Sequence, residues 1–69
     1  MYYDFVEDTA AYKEVEPIVE ATIMEILGER YDYFGACHAI WHHRKRLLME
    51  KYGIEWFTPA ELNPEVKFD

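Results

Sequence analysis

The sequence predicts an all-α protein: an antiparallel two-helix hairpin, a short capped helix near the C-terminus, and extended aromatic arms at both ends. Three observations predict it. Two apolar stretches repeat at three- and four-residue spacing and each stops at a glycine. The stretch "FTPAEL" carries a helix-start signature. Aromatic residues gather outside these segments, at "MYYDF" and "WF…KF". Sixty-nine residues without a linker or repeat make one small domain, 1–69.

The first helix is expected over about 14–27. Val15, Ile18, Val19, Thr22, Ile23 and Ile26 fall on one face at helical spacing. Pro17 suits a first helical turn, which sets the start near Glu14 or Glu16. Glu14, Glu16 and Glu20 then lie toward the positive end of the helix dipole, and Gly28 is the stop. Upstream, "DTAAYK" offers Asp8 or Thr9 as an alternative cap ahead of good helix formers.

"ERYDYFG" reads as a turn, and the second helix is expected over about 33–52. Gly53 ends it, and Ile54 folds back on the last turn. The third is expected over 59–63: Thr58 is the cap, Pro59 the first residue, Glu61 the capping-box partner, with Phe57 and Leu62 as a staple. Pro64 keeps it short. The terminal segments "YYDFV" and "EVKFD" are expected to be extended, with a two-stranded ribbon between them as an option.

Composition narrows the function classes. Apolar residues make up 51% and aromatics 17%, which argues against a disordered chain. Cys37 is the sole cysteine, so neither an intrachain disulfide nor a four-cysteine zinc site exists. No apolar run reaches the roughly 20 residues of a membrane span, and "MYYDFVED" has acids where a secretion signal has bases. A soluble cytoplasmic protein is the expectation. The net charge of −7 is uneven: residues 1–32 carry −7, residues 33–52 carry +3, and residues 53–69 carry −3. Such a chain tends to use its basic segment inside its own fold and repels nucleic acid on balance.

That basic segment holds "CHAIWHHRKR", the stretch most suggestive of chemistry. On a helical wheel it disperses. Phe34, Cys37, Trp41, Leu48 and Tyr52 turn to the apolar face, with Tyr33, Ile40 and Leu47 beside them, while His43, Arg46 and Glu50 face water. His38, His42, Lys45 and Met49 line a flank. Arg44 lies within the apolar arc, where it snorkels to water, pairs with Glu16, Glu20 or Glu25, or meets a partner. His38 and His42 stand at i and i+4, the spacing at which two imidazoles share a metal ion, but no third histidine joins that face. Adjacent Cys37 and His38 diverge on a helix, and the chain has no phosphate loop or nucleophile elbow, so neither enzyme activity nor a cofactor is expected.

The C-terminal half, Gly35 to about Asp69, resembles a type of small uncharacterised protein from Gram-positive bacteria and their mobile elements, on "CH", "KYGIEW" and "TPAELNP". The resemblance implies an accessory product rather than a metabolic enzyme and brings no catalytic residue with it. The leading expectation is therefore a non-enzymatic accessory factor, regulator or inhibitor that binds another protein, including a second copy of itself as a homodimer. Its binding candidates are Tyr2, Tyr3, Phe5, Tyr31, Tyr33, Arg44, Trp56, Phe57 and Phe68, more aromatic surface than so short a chain can bury. Two alternatives stand beside it. One is a metal-binding hairpin using His38 and His42. The other faces nucleic acid, either as a binder through "HHRKR" or as an acidic mimic through Asp4, Glu7, Asp8, Glu14, Glu16 and Glu20.

Overall fold

A computed structural model describes residues 1–68 and is all-helical. Helix α1 spans Ala10–Leu27, α2 spans Ala36–Tyr52, and α3 is the single turn Pro59–Leu62. Two 3-10 turns, Phe5–Asp8 and Gly28–Asp32, precede and follow α1. No described residue is in a strand.

Helix α1 begins four residues earlier than its proline suggests. Thr9 is the cap: its side chain accepts from the Tyr12 N–H, and Pro17 consequently sits inside the helix. The missing N–H at position 17 leaves the Lys13 carbonyl without its intrahelical donor, and tertiary packing of Tyr12 outweighs that local cost. The buried face is Tyr12, Val19, Ile23 and Leu27, with Val15 at its edge, while Ile18 is 56% exposed and Ile26 also faces out. Apolar residues cover so much of this helix that periodicity alone does not select the core side.

The second helix starts at Ala36 rather than at Tyr33. Gly35 takes the left-handed conformation at φ 80°, and Tyr33 and Phe34 lie in the turn before it, outside the helical wheel. Its other end matches the expectation. Gly53 is left-handed at φ 64°, its N–H bonds to the Met49 carbonyl, and the Ile54 N–H folds back to the Leu48 carbonyl at 3.0 Å. In α3 both halves of the capping box form between Thr58 and Glu61, at 3.0 and 3.2 Å.

Leu47 and Leu48 of α2 meet the α1 face, and Trp56, only 1% exposed, completes the core. The body measures 30 × 29 × 16 Å. Its thin dimension is little more than one helix with side chains, about 10–12 Å, so the core is a single seam. No helix of the described residues is long and apolar enough to cross a membrane.

The arms differ most from expectation. The N-terminal one is not an extended strand but contains the turn Phe5–Asp8, capped by Asp4, whose Oδ1 accepts from the Val6 N–H at 2.9 Å. The C-terminal segment turns after Asn63, whose carbonyl accepts from the Val66 N–H.

Candidate functional site

The three cations of "HHRKR" each meet a carboxylate of the same chain. Arg44 Nη2 bonds to Glu20, Lys45 Nζ reaches both oxygens of Glu61 at 2.7 and 2.8 Å, and Arg46 pairs with Glu50 at 3.0 Å. The three cations of this segment are thus paired within the described residues.

Arg44 forms the centre of a half-buried network. Glu20 accepts from both Arg44 and the Tyr31 hydroxyl, and the Arg44 guanidinium carbon stands 5.5 Å from the centre of the Trp56 ring. Burial alone would raise the Glu20 carboxyl pKa, but the bonds from Tyr31 and Arg44 overcome it and hold that pKa below the ordinary carboxylate value. On Arg44, burial works to lower the pKa and the Glu20 partnership raises it, with a net upward result. Burial pushes the Tyr12 phenol well above its usual value. Lys45 holds Glu61 low and also lies 4.8 Å over the Phe57 ring.

The histidines stay on the outside of α2. His38 packs edge-on to Trp41, with ring centres 5.6 Å apart, and His42 stacks edge-on to His43 at 5.5 Å. Partial burial first, then Arg46, His42 and Arg30, depress the His43 pKa. Among the described residues no three His, Cys, Asp or Glu side chains come together as a metal-holding group, so His38 and His42 gain no third ligand there. Cys37 donates its thiol to the Phe68 carbonyl at 2.9 Å, and the Phe68 ring sits edge-on to Trp41 at 5.1 Å.

The nine expected partner-binding residues therefore separate into two groups. Trp56, Arg44, Tyr31 and Phe68 are engaged inside the fold: the core, the Glu20 network and the Trp41 contact account for them. Tyr2, Tyr3, Phe5, Tyr33 and Phe57 are exposed. Phe34, at 89% exposed, belongs with them, although the wheel assigned it to the apolar face of α2.

The N-terminal arm is where order and exposure coincide. Its inward side packs Val6 against the core and carries polar contacts that span almost the whole chain. The Asn63 side chain, 1% exposed, brackets the Tyr2 peptide: the Tyr2 N–H donates to Oδ1 and Nδ2 donates to the Tyr2 carbonyl, both at 2.8 Å. Asp4 Oδ2 accepts from the Phe57 N–H at 2.9 Å, and Glu7 accepts from the Trp56 indole N–H at 2.8 Å. Asn63 Nδ2 also donates to the Pro59 carbonyl, which ties the bracket to α3. The outward side is aromatic: Tyr2 and Phe5 are 72% and 74% exposed, and Tyr3 meets Phe5 edge-on at 5.5 Å. Beside the arm, an open cleft of about 490 Å³ is lined by Lys45, Arg46, Met49, Glu50, Glu55, Trp56 and Phe57.

Sequence reasoning missed Asn63, Asp4 and Glu7 as the residues that organise this face. Asn63 stands before a proline at the end of a helix, where asparagine is ordinary, and nothing local marks a bond to residue 2. Compared with family models, curated proteins and solved structures, the chain matches none, so its functional reading rests on the arm, the network and the paired cations.

Proposed function

We propose that the protein is a small non-enzymatic accessory factor, a regulator or inhibitor, that binds another protein through the aromatic and acidic face of its N-terminal arm. One observation carries this reading: polar clamps order the arm while Tyr2 and Phe5 point to solvent. Ordering costs about 1–2 kcal/mol of backbone entropy per residue. Rings held still before contact spare a complex that cost, and aromatic anchors are what binding hot spots favour. Asp8, which accepts from the Tyr3 hydroxyl, and Glu14 and Glu16 on α1 are exposed, and their negative charge steers a basic partner. The resemblance of Gly35–Asp69 to small proteins of Gram-positive bacteria and mobile elements fits an accessory role.

The test is affinity capture from the host cell with wild-type bait and with Tyr2→Ser/Phe5→Ser bait. The substitutions leave every clamp in place, because the clamps use the Tyr2 backbone and other side chains. A partner retained by wild type and lost by the variant, at unchanged melting temperature, is the expected outcome. Equal capture by both baits removes this face from consideration.

A further inference from the structure

We propose that the N-terminal arm exchanges between two copies of this chain, docking on the partner's Trp56–Asn63 segment as it docks on its own. The inference goes beyond the aromatic face, since it concerns the inward, polar side of the arm.

The arm is a separable unit. No side chain of the turn Phe5–Asp8 is fully buried: Val6 packs against the edge of the core, and the rest of the inward hold is the Asn63 bracket, the Asp4 bond to Phe57 and the Glu7 bond to Trp56. None of these bonds depends on which chain supplies the arm. All three span 49 to 61 residues of sequence, so within one molecule their advantage is the local concentration of a tethered end.

The hinge is a single residue. Thr9, at φ −80° and ψ 150°, is the one extended position between the 3-10 turn and α1. It ends the turn, with its N–H bonded to the Val6 carbonyl, and caps the helix through its hydroxyl. A change of the Thr9 backbone angles redirects the intact turn relative to α1 and carries the arm off its own core. With a connection one residue long, a change at a single position suffices to pass the arm to an identical surface on a second copy.

The exchange is read by complementation between full-length variants. Asp4→Ala/Glu7→Gln spoils the arm, and Asn63→Leu spoils the surface that receives it. The first variant keeps only the Asn63 bracket and the second only the Asp4 and Glu7 bonds, so neither builds the complete arm contact with itself, but mixing them pairs an intact arm with an intact receiving surface. After co-refolding at high concentration, light scattering on the mixture is expected to show a species of twice the 8.3 kDa chain mass, absent from either variant alone. A mixture that stays at the mass of one chain, with both variants helical by circular dichroism, overturns the proposal. Should Asn63→Leu fail to fold, wild-type protein decides: co-refolded labelled and unlabelled chains are expected to give isotope-filtered contacts between Tyr2 of one copy and Asn63 of the other. Their absence likewise overturns it.

Discussion

At the scale of single residues, Glu20 and Asn63 do what the local sequence does not announce. Glu20 holds Arg44 and Tyr31 together, and its folded-state pKa lies below the ordinary carboxylate value. A depressed carboxylate contributes stability above its unfolded pKa and loses it as pH falls through the folded one. The same holds for Glu61, held low by Lys45. Urea midpoints measured from about pH 7 down to about pH 2 should therefore fall through the acid range, and Glu20→Gln should flatten that fall while leaving the protein less stable at neutral pH. Removing the partner instead, Arg44→Ala, strands a half-buried carboxylate and should cost about 1–3 kcal/mol. Asn63→Ala deletes both bonds to the Tyr2 peptide and the bond to Pro59. The part-buried Tyr2 N–H and carbonyl then lose their partners, and denaturation should show a loss of about 1–3 kcal/mol.

At the scale of elements, Pro17 is the informative case. It occupies an exposed position inside α1, where an interior proline costs about 3 kcal/mol. Pro17→Ala should raise stability by up to about that amount in urea titration, and an unchanged midpoint would mean that the proline strains nothing. The same residue shows how far the elements were legible. The glycine stops at Gly28 and Gly53, the fold-back of Ile54 and the Thr58–Glu61 capping box were all readable, because each is decided within one or two turns of chain. The start of α1 was legible only as the alternative cap at Thr9, because Tyr12 packing against distant residues outweighs the local preference of Pro17. Tyr33 and Phe34 were misassigned for the opposite reason: left-handed Gly35 breaks a pattern that remains helical on paper. Arg44 was recognised as misplaced on an apolar arc, and of the three fates open to it (snorkelling, pairing with Glu16, Glu20 or Glu25, a partner contact) the pair with Glu20 is seen.

At the scale of the whole molecule, the fold is a single seam 16 Å thick that ties both ends of its chain to the middle. A chain this short buries little surface, so long-range polar links to buried groups carry weight they would not have in a larger domain. The Trp56 indole shows the arrangement in one residue: it fills the core, faces the Arg44 guanidinium and donates to Glu7 of the arm. Sequence reasoning grouped the aromatics as one class and could not separate the indole that fills the core from the rings left outside, since both sit in polar, turn-rich surroundings. The account depends on the arm being ordered by its inward clamps while its rings face out. Backbone ¹⁵N relaxation on residues 3–8 tests this directly. Order parameters near about 0.85, matching those of α1, are predicted, and values below about 0.6 would contradict it.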